Sequence, residues 1–541
     1  MTRSILAGIC LPISVALLFL AGCSVAETQV VPRNGNCSAP PAATKNAPAW
    51  DGWGADGANT RFQDARTAGL TRQGIPKLKL KWAFGFPGAT EASTQPTIFG
   101  GRVFVGSRDG TVYSLDARTG CMYWMYKATA QLRAPIVIGD RGPVAYFGDM
   151  QAYMYAVDAN TGALKWKTRV GEHPYAAVAG APKLDAGRLY VPVSGGNEEA
   201  AAGIASFVCC TSRGSIVALD AESGKQVWKA YTIRDAATVT GKNAAGRQIW
   251  GPSGAGVWSS PTLDLQRRAI YVGTGVNYTD PPTSTSDAVL AFDMDSGRLL
   301  WTIQFTANDR FNYACFAVAA SSRNEGNCPK NPGPNIGIGA PPILRSLGNS
   351  RRLLIVGAKS GVVHALDPDR EGKSVWETRI GSGGSIMGGI MWGGASDDRG
   401  LAYFPVSDWD AAKPEAGGGL VALRIATGEK VWSMLSPKPS CLGVSGCSAA
   451  QPGPATVIPD VVFAGSLDGH LRAYDTARGS VIWDFDTVQE FQTANGVQAH
   501  GGSINRSGPT VARGMLYASS GYSQMPALHG NVLLAFSVDG K

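Results

Sequence analysis

Three observations predict that this chain is an all-β protein, an eight-bladed β-propeller. A phrase recurs along the chain and is clearest at 109–124, where an alternating apolar strand reaches a Leu-Asp pair, a Thr-Gly turn and a strand that opens on Trp. Closing tryptophans lie 42 (Trp124 to Trp166) to 75 (Trp301 to Trp376) residues apart, the spacing of four-stranded blades with variable loops. Glycine, at 69 of 541 residues, suits many tight turns. The phrase closes on Trp124, Trp166, Trp228, Trp301, Trp376, Trp432 and Trp483.

Each part of the repeated phrase has a physical reason. A four-stranded sheet cannot bury both of its faces alone, so copies stack and share a core. The Asp accepts hydrogen bonds from nearby backbone amides, and the Gly adopts the positive φ that a tight turn requires. The Trp is large enough to fill the gap between neighbouring sheets. We therefore expect the tryptophans to pack between blades.

The eighth blade needs a separate argument because its repeat lacks a closing Trp. The last unit, 514–536, is followed by the end of the chain at Lys541. We expect the strand 78–84, which contains Trp82, to complete it and so to leave no open sheet edge. The other strand-turn units lie near 101–124, 143–166, 187–228, 267–301, 351–376, 400–432 and 460–483.

The N-terminal residues precede the fold and have the pattern of a lipoprotein-type signal peptide, 1–23. Arg3 supplies the positive start, the apolar run 11–20 is short for a membrane span, and Leu-Ala-Gly leads into Cys23. We expect Cys23 to be lipidated and to anchor the protein to the membrane, on the periplasmic side of the outer membrane; ordinary cleavage is the alternative. Residues 24–49, rich in Ala, Pro and Asn, form a linker, and 50–541 form the propeller.

Cysteine usage agrees with export. Besides Cys10 and Cys23, eight cysteines remain, an even number that suits a compartment in which disulfides form. Two local pairs flank loops, and elimination leaves a long-range pair and two adjacent cysteines. A metal site is the alternative, but paired CxxC units and a CxxCH haem motif are absent from the sequence. The groups are Cys315 with Cys328, Cys441 with Cys447, Cys37 with Cys121, and Cys209 beside Cys210.

Charge argues against nucleic-acid binding. The formal net charge of +8 is spread along the chain without a block of Lys and Arg.

Several segments outside the repeat resemble the quinoprotein alcohol dehydrogenases, in particular their polyvinyl-alcohol dehydrogenase branch. These segments are WDGWGAD at 50–56, NTRFQ at 59–63, LKLKWAFGFPG at 78–88 and parts of 501–536. The resemblance implies an eight-bladed propeller that binds pyrroloquinoline quinone (PQQ) and calcium. It implies oxidation of an alcohol, including secondary and polymeric alcohols, with electrons passed to a separate cytochrome c.

The resemblance also implies cofactor-binding residues. Trp258 occupies the place of a tryptophan that stacks on PQQ; packing between blades is the alternative, although Trp258 lies outside the closing register. Cys209 and Cys210 correspond to a vicinal disulfide over the other face, but they lie in the loop of the third unit and not in an earlier one; free thiols or separate bridges are the alternative. Lys359 matches the cation that polarises the quinone oxygens.

Metal and catalytic residues follow from the resemblance less directly. Glu198 or Glu199 corresponds to the calcium ligand, and adjacent glutamates in extended structure point apart, so one of them binds. The family's second ligand position holds Val276, which leaves Asn277 beside it as the candidate. Asn312 occupies the position of the family's catalytic aspartate. Because an amide cannot act as a base, Asp309 is the candidate for the catalytic base instead.

The competing hypothesis is a non-catalytic outer-membrane lipoprotein propeller that acts as an assembly or interaction scaffold. The lipoprotein signal and the altered positions Val276, Asn312 and Asn335 favour it. The paired cysteines and the N-terminal segment at 50–63 favour the enzyme. A PQQ-binding sensor without turnover is the third alternative.

Overall fold

The computed structural model describes residues 37, 49–92, 94–139, 141–319, 326–348, 351–384, 386–525 and 527–541. The predicted signal peptide at 1–23, its Cys23 and most of the linker at 24–49 lie outside the described residues. The described chain forms eight four-stranded antiparallel sheets, as the repeat predicts.

The eight sheets are blades that follow one another along the chain. In most of the sheets the first strand is buried and the last is partly exposed, so the strands run from the axis outwards. Blades 1 to 4 consist of Thr97–Phe99, Arg102–Gly106, Thr111–Asp116 and Met122–Lys127; Val137–Ile138, Val144–Gly148, Tyr153–Asp158 and Leu164–Arg169; Lys183–Asp185, Arg188–Val193, Ser215–Asp220 and Gln226–Tyr231; Thr262–Asp264, Ala269–Gly273, Ala288–Asp293 and Leu299–Gln304. Blades 5 to 8 consist of Ile343–Ser346, Arg352–Gly357, Val362–Asp367 and Lys373–Arg379; Ala395–Ser396, Leu401–Pro405, Leu420–Arg424 and Lys430–Met434; Thr456–Ile458, Val461–Gly465, His470–Asp475 and Val481–Asp486; Thr510–Ala512, Met515–Ser520, Val532–Val538 and Leu78–Gly85.

Blade 8 closes the ring with a strand from the other end of the chain. Leu78–Gly85 pairs antiparallel with Val532–Val538, which confirms the predicted closure. The indole of Trp483 in blade 7 donates to the carbonyl of Leu78 at 3.1 Å, so the closing strand is also held by the preceding blade.

The closing tryptophans pack between blades, as predicted. Trp166 of blade 2 lies against Gly224 of blade 3, whose φ is +69° and where a Cβ would lie 2.6 Å from the indole Cδ2. The indole Nε1 of Trp166 donates to the carbonyl of Ala221 at 3.0 Å. Each turn therefore needs glycine both for its backbone angle and for the space that the neighbouring indole takes. The same contact joins Trp82 to Gly120, Trp124 to Gly162, Trp228 to Gly297, Trp301 to Gly372, Trp376 to Gly428 and Trp432 to Gly479.

Short helices and two-stranded pairs lie outside the eight four-stranded sheets. The helices are Ala65–Ala68, Gly196–Ala201 and Ala314–Ala319, and the 3₁₀ turns are Ile75–Lys77 and Pro368–Arg370. Three two-stranded pairs join Thr238–Lys242 to Gln248–Gly251, Ser253–Gly254 to Asn277–Thr279, and Glu490–Phe491 to Ala499–His500. Among the described residues, no helix combines the length and the apolar character that crossing a bilayer requires.

Residues 49–63, named here the belt, contact the innermost strand of every blade in turn. Backbone hydrogen bonds join Trp50 to Ile98 in blade 1, and the carbonyl of Thr60 accepts from Ser396 in blade 6. The contacts with the other blades are Asp51 with Ile138, Asp56 with Lys183, Gly57 with Leu263, Ala58 with Leu344, Arg61 with Val457, and Gln63 with Val511. The belt thus ties all eight blades together at one end of the axis.

Four disulfides cross-link the described chain. They join Cys37 to Cys121, Cys209 to Cys210, Cys315 to Cys328, and Cys441 to Cys447. The local and long-range pairings expected from the cysteine arithmetic are therefore present, and the adjacent cysteines bond to each other.

Candidate active site

A cavity of about 530 Å³ lies on the propeller axis beside Trp258. Its lining comes from loops of blades 1 to 5 and blade 8, so residues far apart in sequence converge there. Of the lining residues, Tyr313 and Met525 are 45% and 37% exposed, so they mark the opening to solvent. Below Trp258 a space of about 20 Å³ separates it from Trp53 of the belt. The cavity is therefore open at one side and backed by the belt at the other.

Trp258 forms a flat wall of the cavity. It lies in the loop before the first strand of blade 4, and its indole packs on the backbones of Gly275 and Gly339. A Cβ at Gly339 would lie 2.0 Å from the indole Cη2, so glycine is required for this placement. Trp392 meets Trp258 edge to face, with ring centroids 5.1 Å apart and an angle of 87° between their planes. Trp258 therefore lines the cavity with an aromatic surface, and stacking on a cofactor stays a prediction.

Lys359 reaches the same cavity from the turn after the second strand of blade 5. Its ammonium donates to Oδ1 of Asn335 at 3.2 Å. Burial lowers the pKa of Lys359 to about 8, against the nearby charges of Glu199, Asp309 and Asp287, which act to raise it. The side chain supplies a positive charge inside a low-dielectric pocket, where its field is stronger than in water.

Glu199 lines the cavity, and Glu198 does not. The two glutamates belong to the helix Gly196–Ala201 and not to the extended segment that the sequence suggests. Glu198 turns away and accepts hydrogen bonds from the backbone N–H groups of Thr211 and Ser212 at 2.7 to 3.1 Å. Burial raises the pKa of Glu199 to about 7, with Lys359 opposing the shift. Only Glu199 is therefore placed to contact a ligand.

Three arginines and one glutamate line the opposite part of the cavity. The buried carboxylate of Glu91 pairs with Arg108 at 2.5 Å and with Arg506 at 3.4 Å. Arg506 also donates to the hydroxyl of Tyr522 at 2.9 Å. With Arg133, this wall carries three cations against one carboxylate, and it suits an anionic ligand.

The two proposed catalytic positions do not line the cavity. Asp309 is buried, and its two carboxylate oxygens accept from the backbone N–H groups of Asn335 at 2.9 Å and Ile336 at 2.8 Å. Burial, together with the nearby Asp309 carboxylate, raises the pKa of Asp287 well above its usual range. Asp309 therefore supports the loop that carries Asn335 from behind.

Asn312 has a structural environment. Its amide donates to the carbonyls of Tyr278 at 2.9 Å and Asn327 at 2.8 Å, and its oxygen accepts from the backbone N–H of Ala314 at the start of a helix. All of its polar atoms are thus bonded to backbone. This explains physically why an amide occupies the position.

The metal positions are only partly assembled. Val276 lines the cavity, whereas Asn277 is buried, donates to the carbonyl of Ser253 at 3.1 Å and accepts from the backbone N–H of Thr283 at 2.8 Å. Asn277 is therefore not brought to the cavity. In the described part of the chain, no cluster of three or more His, Cys, Asp or Glu side chains is arranged to hold a metal ion. Glu199 remains as the carboxylate that faces the site beside Lys359.

The Cys209–Cys210 disulfide is formed but does not line the cavity. Both cysteines are fully buried in a cluster that includes Tyr278, Phe311 and the Cys315 end of a second disulfide. Tyr278 and Phe316 of the same cluster line the cavity, so the disulfide supports its wall from behind. The vicinal bond is thus present, and its expected position over a cofactor face stays a prediction.

Sequence reasoning missed the arginine wall and the apolar side chains that line the cavity with it. Arg133, Trp392 and four methionines line the cavity, yet they lie in loops without periodicity, and nothing local distinguishes them from surface residues. The only usable signal was the glycine-rich stretch at 381–394, which indicates close backbone packing. The methionines are Met150, Met387, Met391 and Met525.

Two family models match the chain. Residues 50–320 match the glucose/ethanol/alcohol dehydrogenase β-propeller domain of the PQQ type. Residues 286–539 match the outer membrane protein assembly factor BamB. The first match covers half of the chain, and the chain belongs to the quinoprotein alcohol dehydrogenase family.

Within that family the chain is similar to polyvinylalcohol dehydrogenases. It is 42% identical over 511 residues to the protein of Sphingopyxis sp. (strain 113P3), which covers 91% of this chain and 77% of the relative. It is 40% identical over 520 residues to a Pseudomonas sp. protein of the same name, which covers 93% of this chain and 79% of the relative. Identity to the quinohemoprotein alcohol dehydrogenase of Comamonas testosteroni is 23%, over 81% of this chain and 69% of that protein.

Solved structures share the fold. The quinohemoprotein alcohol dehydrogenase of Comamonas testosteroni superposes with a TM-score of 0.66 at 18% identity and covers 92% of this chain and 82% of its own. A europium-containing methanol dehydrogenase gives 0.66 at 17% identity, over 90% and 98%. BamB of Moraxella catarrhalis gives 0.50 at 16% identity, over 85% and 99%.

Proposed function

We propose that this protein is a PQQ-dependent dehydrogenase that oxidises secondary alcohols, including polymeric ones. The observation that carries the proposal is an axial cavity in which Trp258, Lys359 and Glu199 meet an arginine-rich wall. The match to the PQQ-type domain and the 40–42% identity to polyvinylalcohol dehydrogenases support it.

The cavity residues fit PQQ, a flat tricarboxylate. Trp258 offers an aromatic face, and the arginine wall offers cations, one of which, Arg133, lacks a hydrogen bond or ion pair among the described residues. When bound, PQQ supplies the two-electron redox chemistry of alcohol oxidation. Lys359 stabilises negative charge that develops on a carbonyl oxygen of a ligand in this pocket.

Calcium is part of the proposal on narrower grounds. Glu199 is the carboxylate that would hold it, and calcium prefers several oxygen ligands. Val276 has no side-chain oxygen, and the side chain of Asn277 is hydrogen-bonded away from the cavity, so neither residue supplies a calcium ligand. The remaining oxygen ligands of the calcium ion must come from backbone, water or the cofactor. We expect calcium to bind with PQQ more tightly than alone.

The polymeric substrate is supported by the opening and by the apolar wall. Tyr313 and Met525 are exposed at the mouth, and further methionines continue inward. Methionine side chains adapt to irregular shapes, which suits a chain of variable stereochemistry. We therefore expect polyvinyl alcohol and its short secondary-alcohol fragments to be better substrates than ethanol.

The remaining elements of the proposal concern location and electron transfer. Four disulfides support an oxidising compartment, so we propose export to the periplasm with a lipid anchor on Cys23. Because the sequence has no CxxCH motif, a separate cytochrome c would accept the electrons. Mass spectrometry of the mature N-terminus tests the anchor, and reduction of added cytochrome c tests the acceptor.

The enzymatic proposal is tested by reconstitution. The purified protein is incubated with PQQ, with and without calcium, and dye reduction is followed with polyvinyl alcohol, 2-propanol and ethanol. We expect PQQ-dependent turnover with the polymer and with 2-propanol. Absence of PQQ binding and of turnover would refute the proposal, whereas binding without turnover would favour a sensor.

The scaffold alternative is not favoured by the comparisons. The BamB likeness consists of a family-model match to residues 286–539, less than half of the chain, and of a shared fold at 16% identity, while the dehydrogenase relatives are 40–42% identical over most of the chain. Co-purification with outer-membrane assembly proteins would be needed to revive it.

A further inference from the structure

An exposed apolar surface lies beside the opening of the cavity. Ile204, Val208 and Tyr313 are 60%, 48% and 45% exposed, although all three side chains are large and mainly apolar. Tyr313 also lines the cavity, so this surface continues from the cavity wall to the outside of the protein. Together with the half-buried Phe207, these three residues are named here the platform. An apolar surface of this kind at the mouth of a cavity indicates a binding site.

The two parts of the platform are in contact. A Cβ at Gly203 would lie 3.5 Å from the Cβ of Tyr313, so the loop 203–208 lies directly beside that tyrosine. The backbone N–H of Tyr313 donates to the carbonyl of Glu199 at 3.2 Å, and Glu199 belongs to the helix from which the loop continues. Since Glu199 lines the cavity, the platform is attached to a residue of the site itself.

The loop of the platform is held by a buried amide. The side-chain nitrogen of Asn327, which is 1% exposed, donates to three backbone carbonyls of this segment at 3.1 to 3.2 Å. These are the carbonyls of Ala202, Ile204 and Phe207. The ring of Phe207 meets Tyr175 edge to face, with ring centroids 5.4 Å apart. Side chains presented on a loop that is already ordered lose little further freedom when a ligand covers them.

The platform is also free of charged side chains. Between Glu199 and Arg213 the sequence has no Asp, Glu, Lys or Arg, and residues 311–319 have none either. The charge complementarity that steers many protein partners to each other is therefore not offered by these two segments. A neutral chain that is partly apolar is the ligand that such a surface suits.

We propose that the platform binds the part of a polyhydroxylated carbon chain that remains outside the cavity while another part of the same chain is inside. This inference rests on the proposed function and deepens it, because it assigns binding of the polymer to a surface that a small alcohol in the cavity does not touch. Polyvinyl alcohol fits the platform, since its CH2 groups cover apolar side chains while its hydroxyls remain hydrated. The platform thus raises the affinity for long chains and leaves the chemical step unchanged.

The test uses the double variant Ile204→Thr/Val208→Thr, which keeps the branched shape of both side chains and replaces apolar groups by hydroxyls. The matched control is Leu265→Thr, because Leu265 is 55% exposed in the first turn of blade 4. Trp258 before that hairpin and Gly275 after it line the cavity, so the turn lies at the far end of the blade. The control therefore removes a similar exposed side chain away from the platform.

Steady-state kinetics with the PQQ-loaded protein give the first measurement. We expect the double variant to raise KM for polyvinyl alcohol about 5- to 20-fold at unchanged kcat, because less apolar surface is covered when the polymer binds. Its KM for 2-propanol should equal that of wild type, since this alcohol is held inside the cavity. Leu265→Thr should match wild type with both substrates.

The second measurement does not depend on turnover. Protein without cofactor is passed over immobilised polyvinyl alcohol, and its retention is compared among the three proteins. We expect wild type and Leu265→Thr to be retained equally and the double variant to elute earlier. Equal retention of all three proteins would overturn the inference.

The kinetic outcomes separate this inference from the proposed function. An unchanged KM for the polymer in the double variant, or an equal rise in KM for 2-propanol, would refute the platform while the PQQ-dependent activity stands. Slower reduction of added cytochrome c at unchanged KM for the polymer would assign the surface to the electron acceptor and likewise overturn the inference. If wild type neither binds PQQ nor oxidises an alcohol, the proposed function fails, whatever the retention on the polymer shows.

Discussion

At the scale of single residues, two adjacent glutamates differ in whether their side chains face the cavity. Glu198 and Glu199 occupy successive positions of one helical turn, so their side chains leave the helix about 100° apart. Glu198 is held in place by backbone N–H groups, and that anchor sets Glu199 toward the cavity. The pair therefore separates a structural carboxylate from a functional one.

This separation predicts different outcomes for two matched substitutions. Glu198→Gln places an amide against N–H donors and should destabilise the protein by about 2 kcal/mol. Glu199→Gln should leave the stability of the empty protein unchanged or higher at pH 8, because it removes a desolvated carboxylate, and should reduce calcium-dependent turnover about 100-fold. Thermal midpoints and dye-reduction rates check both. Equal loss of stability in the two variants would contradict the assignment.

A second residue-scale prediction concerns pH. His364 stacks on Phe305 with ring centroids 3.9 Å apart, and burial lowers its pKa from 6.5 to about 4. Between these pH values the unfolded chain binds a proton that the folded protein excludes, so stability falls as the pH drops from 6.5 toward 4. The contribution reaches about 3 kcal/mol at the low end.

The measurement compares wild type with His364→Phe from pH 8 to pH 4. The exposed Glu377, whose carboxylate lies 3.6 Å from the His364 ring nitrogen, adds too little to reverse the shift. We expect the unfolding free energy of the variant to change less over this window. An identical pH profile would refute the role of His364.

At the scale of elements, the unit of this fold is the contact between a tryptophan of one blade and a glycine turn of the next. That contact is local in sequence pattern, which is why eight blades, the closing strand and the turns are predictable from the sequence. The short helix Gly196–Ala201 is not, because six residues carry no periodic signal and the sequence suggests an extended loop. The cavity wall is less predictable still, since Glu91, Arg133 and Arg506 meet only after the ring has closed.

The tryptophan–glycine contact gives a prediction with an internal control. Gly224 and Gly246 have φ values of +69° and +73°, but a Cβ at Gly246 would meet nothing within 4 Å. Both substitutions by Ala should cost about 1 kcal/mol for the left-handed backbone. Gly224→Ala should cost about 1–3 kcal/mol more, because the added carbon displaces Trp166. Midpoints of thermal unfolding, measured at one scan rate, check this prediction. Equal midpoints for the two variants would contradict it.

At the scale of the whole molecule, the belt contacts all eight blades in turn and so links blades that are not neighbours in the ring. Arg61, near the C-terminal end of the belt, is fully buried, and its guanidinium donates to the carbonyl of Trp53 and to Gln95 and Thr456 at 2.8 and 2.7 Å. Burial lowers the pKa of Arg61 to about 9, yet its hydrogen bonds satisfy the charge. The belt therefore stabilises the ring of blades as a single unit.

These contacts predict that substitution of Arg61 lowers the stability of the protein unusually strongly. Arg61→Met leaves several buried acceptors without donors and should destabilise the protein by more than about 3 kcal/mol. Arg66→Met, a few residues later on an exposed helix, should change stability by less than about 0.5 kcal/mol. Hydrogen exchange of the innermost strands checks whether the loss spreads around the ring. Loss confined to blade 7 would contradict a ring-wide role.

The position of the belt also determines how reactants enter the cavity and how products leave it. The belt lies behind Trp258 at one end of the axis, and in the described part of the chain the cavity opens beside Tyr313 and Met525. For the polymeric substrate proposed above, we expect a polymer chain to enter with an end or a bent segment and to leave on the same side. We therefore expect oxidation by repeated entry, not by continuous sliding along the polymer.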